Sequence, residues 1–165
     1  WLEIGSTIWQ TAGTTDMMNN KIPPPIVTLL CALIIYFSSL FFPSYTFPLF
    51  NALSILILGS GLLLIFLAVK SFKKAQTTIN PLQPDLASFL VTDGVFKYSR
   101  NPMYVGMLFI LIFISLRFNL IGGSLVALGF VIYITKYQIV PEEIAMVKLF
   151  NDKFIAYKSR VRRWL

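Results

Sequence analysis

A short polar segment directly precedes a long apolar run in this sequence. Residues 97–106 read KYSRNPMYVG, and the next ten, MLFILIFISL, carry no charge. A membrane anchor needs one or two basic residues at such a boundary, whereas this segment combines Tyr98, Arg100 and Asn101 and then a proline. An arginine is suited to bind an anionic group. The segment therefore carries more polar groups than anchoring requires, and it is a candidate functional site at the start of a membrane helix.

Two adjacent acidic residues follow the last apolar run. Glu142 and Glu143 come after Pro141, and their simplest role is to complement the dipole of a helix that starts there, worth under about 1 kcal/mol each. A carboxylate at membrane depth is costly, however, and is a functional candidate by default. Adjacent residues on a helix point about 100° apart, so at most one of the two should contact a ligand directly.

Composition excludes several kinds of chemistry. The chain has no histidine and one cysteine, Cys31, so the commonest metal ligand and the commonest general base at neutral pH are missing. Zinc hydrolase and Ser-His-Asp mechanisms are excluded, no metal site is expected, and no disulfide can form within the chain. The sequence contains no P-loop, no GxGxxG motif after a strand and no internal repeat.

The elements that must position these residues are apolar helices. No charge occurs from Ile22 to Val69, and because about 20 helical residues cross the hydrocarbon core, this stretch fits two spans with a turn at PSYTFP. Arg117, Asn119 and Gly122-Gly123 predict a tight hairpin within the later apolar region. A soluble helical bundle with an apolar core is the alternative. We predict an all-α polytopic membrane protein with four transmembrane helices, near 25–42, 48–69, 101–116 and 118–138.

The polar parts of the chain are predicted to share one side of the membrane. Of the fourteen basic residues, only Arg117 lies on the opposite side. Positive residues concentrate in the cytoplasm, so we expect both termini and the 70–100 loop there, at a bacterial inner membrane. Apolar residues at steps of three and four from Ile144 to Trp164 predict one amphipathic cytoplasmic helix over 141–164. The net charge of +7 then indicates orientation and anionic lipids, and no nucleic acid.

Two further segments have their own character. Residues 1–17 are mixed-polar and lack helical periodicity, so we expect a processed or appended segment ahead of a single domain over 18–165. The 70–100 loop is longer than a simple connection, and Asp85 is expected to cap a short helix within it. Two roles stay open for this loop: packing on the membrane surface, or covering a ligand pocket.

Taken together, these pieces resemble the integral-membrane methyltransferases related to isoprenylcysteine carboxyl methyltransferase and the phospholipid methyltransferases. LVTDGVFKYSRNPMYVG at 90–106 is similar to the family core, and the similarity covers about residues 50–165. The sequence departs from the family at Asn101, where eukaryotic prenylcysteine enzymes have histidine, and at Val95 and Asn151, where proline and glycine are frequent. The further matches are Thr78-Ile79-Asn80-Pro81 in the loop and Glu142-Glu143, Leu149-Phe150, Tyr157 and VRRWL at 161–165 in the tail.

The resemblance implies a bound S-adenosylmethionine whose methyl group passes to a lipophilic acceptor: an isoprenylcysteine-type carboxylate, a phospholipid amine or a small thiol. It implies catalytic roles for Arg100 and Glu143, and contacts of Tyr98 and Tyr157 with the acceptor. For these tyrosines an interfacial aromatic belt is the alternative, and Arg162, Arg163 and Trp164 are expected to be surface anchors. The donor pocket implied by the resemblance comprises Leu90, Val91, Gly94, Arg100, Asn101, Pro102, Tyr104, Gly106, Glu142 and Glu143.

Two other functions compete with methyl transfer. A non-enzymatic four-helix scaffold, or a subunit of a larger assembly, would bind no donor and would tolerate changes in residues 97–106. A small transporter would need ionisable groups within its spans, and there are none between Ile22 and Val69. The methyl acceptor and the oligomeric state are left open by the sequence.

Overall fold

The computed structural model describes residues 22–42, 48–76 and 89–165, and no strand occurs in these ranges. Six α-helices form this part of the chain: α1 Pro24–Ser38, α2 Pro48–Lys74, α3 Pro102–Phe118, α4 Leu120–Ile134, α5 Val140–Phe150 and α6 Asp152–Arg160. A 3-10 turn over Gly94–Lys97 precedes α3, and a π-helical turn over Thr135–Ile139 joins α4 to α5. The predictions for residues 1–17, for most of the 43–48 turn and for Thr78 to Asp85 lie outside the described residues.

Two helical runs in the described residues are long and apolar enough to cross a membrane. They are Pro48–Lys74 and the continuous run Leu120–Phe150, while α1 and α3 are shorter apolar helices of 15 and 17 residues. Large apolar side chains stay exposed on the outer faces, among them Leu56, Phe66 and Leu125. Exposed apolar surface of this extent is typical of a protein that faces lipid. The all-helical fold is confirmed for the described chain, whereas four membrane crossings stay a prediction.

Helix α3 lies at the centre of the bundle and contacts α1, α2 and α4. Its approach to α2 is close because two glycines face each other. A Cβ atom built at Gly106 would lie 2.7 Å from the Gly61 carbonyl oxygen, and one at Gly61 would lie 2.9 Å from that of Gly106. Small residues allow such close packing between membrane helices. The fully buried side chains around α3 include Ile35, Leu111, Phe130, Ile134 and Ile139.

The predicted hairpin between α3 and α4 is confirmed, and its connection is the single residue Asn119. The Asn119 side chain accepts a hydrogen bond from the Gly122 N–H at 3.0 Å and donates one to the Ser38 hydroxyl at 3.1 Å. It therefore caps α4 and ties that helix to the end of α1. Arg117 donates to the Asn51 side chain at 2.7 Å, which links the hairpin to the start of α2.

The tail does not form the single helix that was predicted over 141–164. The run that begins as α4 continues into α5 without a break at Pro141. Proline lacks the N–H that would bond to the carbonyl four residues earlier, and its ring crowds that carbonyl. A π-helical turn, in which the Val140 N–H donates to the Thr135 carbonyl, widens the backbone just before the proline.

The tail is interrupted again at Asn151, and this is the larger correction. Asn151 has a φ of 43°, a left-handed backbone that separates α5 from α6. Helix α6 then ends at Arg160, and Val161 is extended. The apolar steps of three and four continue across Asn151, so their periodicity gave no sign of the break. The first helix also ends earlier than predicted, at Ser38.

Candidate functional site

The polar segment before α3 and the acidic pair in α5 meet at one end of the bundle. The Tyr104 hydroxyl donates to Glu142 Oε1 at 2.5 Å, and Arg100 Nη2 lies 3.0 Å from Glu143 Oε1. Tyr104 is positioned by the first turn of α3, which starts at Pro102, and Arg100 lies in the short connection between the 3-10 turn over Gly94–Lys97 and that helix. The structure therefore brings together two motifs that are far apart in the sequence.

Glu143 is the centre of an ion cluster that we define as Arg100, Glu143, Lys158 and Arg163. Its carboxylate is only 9% exposed. Arg163 binds it bidentately, Nε to Oε1 and Nη2 to Oε2, both at 2.9 Å, and Lys158 Nζ lies 3.4 Å from Oε2. Three cations share one carboxylate, so the cluster carries an excess of positive charge. A further anionic group would be attracted to it.

Arg100 is buried with part of its hydrogen-bonding capacity unused. Its side chain is 8% exposed, and Nε and Nη1 are buried without an acceptor among the described residues. Burial lowers the pKa of the guanidinium while the Glu143 carboxylate opposes that effect, and arginine stays charged in proteins. A buried donor without a partner costs about 1–3 kcal/mol. Acceptor atoms of a ligand would therefore be stabilised at Arg100.

Glu142 has different surroundings from its neighbour. Glu142 is a half-buried residue, and its carboxylate accepts the Tyr104 hydrogen bond. Within the described chain no cation forms an ion pair with it. The two carboxylates thus face different groups, as the angle between adjacent helical residues requires.

The last residues of the chain form one wall of the site, and we call residues 161–165 the C-terminal strap. The Arg162 carbonyl accepts a hydrogen bond from the Arg100 N–H at 3.0 Å, and the Arg163 carbonyl accepts one from Asn101 Nδ2 at 2.9 Å. Trp164 Nε1 donates to the Thr135 hydroxyl at 3.1 Å. Arg163 and Trp164, which were expected to be surface anchors, therefore also make contacts within the protein.

Other residues of the predicted donor pocket lie against α2. Val91 is buried in a cluster with Ala68 and Phe96. Gly94, whose φ is +64°, lies beside the Ser71 side chain, and Leu90 is partly exposed. Gly106 is covered by α2 at Gly61, and Pro102 is buried at the start of α3. The described contacts of Val91, Gly94 and Gly106 are therefore with α2.

The two tyrosines predicted to contact an acceptor differ in exposure. Tyr157 is buried and its hydroxyl donates to the Phe96 carbonyl at 2.7 Å, which ties α6 to the 3-10 turn. Burial raises the pKa of Tyr157. Tyr98 is 77% exposed. An acceptor contact stays a prediction for both residues.

Sequence reasoning missed Arg163 and Lys158 as partners of the acidic pair. The available signal for Arg163 was its place in VRRWL, which lies within the family resemblance. Lys158 carried no signal beyond its position in a basic helix. Among the described residues there is no group of three or more side chains of the types that bind metal ions.

Comparison with known proteins yields one family match and one relative. The family model described as phospholipid methyltransferase matches residues 49–153, which include both motifs of the site. An uncharacterised protein of Haemophilus influenzae is 39% identical over 66 residues, which are 38% of this chain and 100% of that protein. No solved structure matches the chain.

Proposed function

Because the chain belongs to the phospholipid methyltransferase family, we propose that it transfers a methyl group from S-adenosylmethionine to a lipophilic or membrane-associated acceptor. The observation that carries the proposal is the buried Arg100, with two nitrogens that have no acceptor in the described chain, beside the acidic pair. Methyl transfer from a sulfonium depends mainly on alignment and on exclusion of water. A chain without histidine can therefore support it.

The residues of the site fit the charges of the donor. S-adenosylmethionine carries a carboxylate and two cationic groups, and it supplies the activated methyl. The free N–H groups of Arg100 are proposed to bind the donor carboxylate. Glu142, which no cation contacts in the described chain, is proposed to face the ammonium or the ribose hydroxyls. Asn101 and Tyr104 are proposed to shape the same pocket.

Glu143 takes a different role in this proposal from the one that the resemblance implied. Its carboxylate is already in contact with Arg100, Lys158 and Arg163, so another cation would have to displace one of them. We therefore assign Glu143 to holding Arg100 in place. The choice between the two glutamates, which the sequence left open, goes to Glu142 as the donor contact.

The acceptor is proposed to be a phospholipid amine. The family description supports a lipid-type acceptor, and the positive charge of the ion cluster suits the phosphate of a headgroup. An isoprenylcysteine-type carboxylate and a small thiol are the other acceptors to be tested. We place the site and both termini on the cytoplasmic face of a bacterial inner membrane, which the distribution of basic residues supports.

Calorimetric titration of S-adenosylmethionine into the purified protein in detergent tests the donor site. We expect saturable binding that Arg100→Ala and Glu142→Gln each weaken at least about tenfold, since each removes a charged contact. Lys97→Ala is the control, because this lysine pairs only with the exposed Asp93 in the described chain. Full affinity in both site variants would contradict the assignment, and no binding to a folded protein would favour the non-enzymatic scaffold.

The acceptor is tested with labelled donor in vesicles. We expect label to enter phosphatidylethanolamine and not phosphatidylglycerol, which has no amine. Prenylcysteine and thiol compounds, added singly to phosphatidylglycerol vesicles, test the other two acceptors. Label in one of these compounds, with none in phosphatidylethanolamine, would overturn the amine assignment and keep the donor assignment.

A further inference from the structure

The geometry of the ion cluster separates the two arginines that contact Glu143. Arg163 uses both Nε and Nη2 on the two carboxylate oxygens. Arg100 makes one contact, from Nη2 to Oε1. A carboxylate offers one bidentate position to a guanidinium fork, and here Arg163 occupies it.

Because Arg163 occupies both carboxylate oxygens, Arg100 keeps N–H groups without an acceptor in the described chain, although its side chain is more buried than that of Arg163. The Arg100 side chain is 8% exposed and that of Arg163 is 34% exposed. If Arg163 were absent, the favoured arrangement would be a bidentate pair between Arg100 and Glu143, because it satisfies more buried N–H groups. Lys158 cannot take the place of Arg163, because an ammonium is a point donor without a fork.

The C-terminal strap holds Arg163 in a position from which its side chain can bind both oxygens of Glu143. Asn101, next to Arg100, donates to the Arg163 carbonyl, and Trp164 is fixed to Thr135 on the π-helical turn. These two hydrogen bonds attach the backbone around Arg163 to the segment before α3 and to the turn before α5, which together contain the residues of the site. The position of Arg163 is therefore coupled to that of Arg100.

We propose that Arg163 is a positioning residue that occupies both oxygens of Glu143 and so keeps Arg100 free to bind the anionic group of the ligand. The inference rests on the proposed function, in which that anionic group is the carboxylate of the methyl donor. Arg163 itself contacts no reacting atom in this assignment. It acts through Arg100 and Glu143.

Two neutral-sulfur nucleosides provide the test. S-adenosylhomocysteine has the donor's amino-acid portion with its carboxylate, and 5′-methylthioadenosine lacks that portion. The ratio of their dissociation constants measures how well the protein binds the amino-acid end of the donor. Calorimetry in detergent gives both constants, with circular dichroism and elution volume as checks on folding.

We expect Arg163→Ala to reduce the preference for S-adenosylhomocysteine about tenfold, the scale of one charge-assisted contact. Arg163→Lys should lose most of the preference as well, since lysine keeps the charge without the fork. The double variant Arg163→Ala/Glu143→Gln should restore much of the preference, because the glutamine keeps one oxygen that can hold Arg100 Nη2 and offers Arg100 no bidentate partner. Arg160→Ala, an exposed arginine in α6, is the charge control and should leave the ratio unchanged.

The possible failures are distinguishable. Binding of neither nucleoside to the folded wild-type protein would overturn the proposed function, and this inference with it. Wild-type preference that persists in Arg163→Ala would overturn the inference alone. Full preference for S-adenosylhomocysteine in Arg163→Lys would show that only the charge of residue 163 matters. If Arg163→Ala weakened the binding of both nucleosides by the same factor, the role of Arg163 would be purely structural. Either result rejects the positioning role.

Discussion

Glu142 and Glu143 differ by one position in the chain but contact different groups, a hydroxyl for the first and three cations for the second. Helix geometry predicts that difference from the sequence, and the resemblance predicts the meeting of the two motifs. The bidentate contact of Arg163 with Glu143 could not be predicted from helical periodicity. Arg163 reaches it only because the chain breaks at Asn151 and again at Val161, and neither break has a periodic signal.

The hydroxyl group of Tyr157 gives a prediction for the free energy of unfolding and its dependence on pH. Tyr157→Phe should lower the free energy of unfolding by about 1 kcal/mol at neutral pH, because it leaves the Phe96 carbonyl without this donor. Burial raises the pKa of Tyr157 above its ordinary value of about 10. Its contribution to stability is therefore complete below that pH and is lost as the pH rises further. The difference between wild type and variant should narrow above about pH 10.

Thermal unfolding in detergent at neutral and alkaline pH measures both effects. Tyr98→Phe is the matched control, because that ring is exposed and its change should alter stability little. Equal stability of wild type and Tyr157→Phe at neutral pH would contradict the prediction. A difference that widened in alkali would contradict the direction assigned to the pKa.

The helices of the bundle were largely predictable, and the tail was not. Apolar runs bounded by prolines and by Arg117 predicted α1 to α4 to within a few residues. The π-helical turn and the left-handed Asn151 divide the tail by backbone geometry, which hydrophobic periodicity does not detect. The frequent glycine of the family at position 151 was the one signal, because glycine adopts a positive φ at no steric cost.

The close packing of α2 on α3 gives a prediction at the scale of the helices. Gly61→Ala should lower the free energy of unfolding by about 1–3 kcal/mol, the usual cost of overpacking. The added Cβ would lie 2.8 Å from Phe109 Cβ and 2.9 Å from the Gly106 carbonyl oxygen. Gly59→Ala, two residues earlier in the same helix, meets nothing within 4 Å and should cost no stability. Thermal unfolding of the two variants would contradict the prediction if they lost equal stability.

As a whole, the described chain is an apolar bundle with its ion cluster at one end. The apolar faces follow from composition, so the sequence predicts them well. The structure at the two ends of the bundle is harder to predict from the sequence, because it depends on single polar contacts such as Arg117 with Asn51 and Trp164 with Thr135. The proposed orientation in the membrane rests on the distribution of basic residues, which favours a cytoplasmic position for the site.

That orientation can be measured with single cysteines. In a Cys31→Ser background, we expect Lys97→Cys to react with a membrane-impermeant maleimide only in inverted vesicles, and Leu40→Cys only in intact cells. Both positions are exposed, and they lie at opposite ends of the bundle in the proposed topology. Labelling of both cysteines from the same side would contradict the four-crossing arrangement. Reversal of both would contradict the sidedness alone.

The connection of α3 to α4 by Asn119 alone has a consequence for biosynthesis. In the proposed four-crossing topology, one residue is too short a connection for α3 to insert into the bilayer while α4 stays in water, so we expect the pair to leave the translocation machinery as one helical hairpin. In that topology the buried Asn119 amide at the tip of the hairpin crosses the hydrocarbon before it donates to the Ser38 hydroxyl of α1. The order of synthesis suits this step, because α1 emerges from the ribosome first.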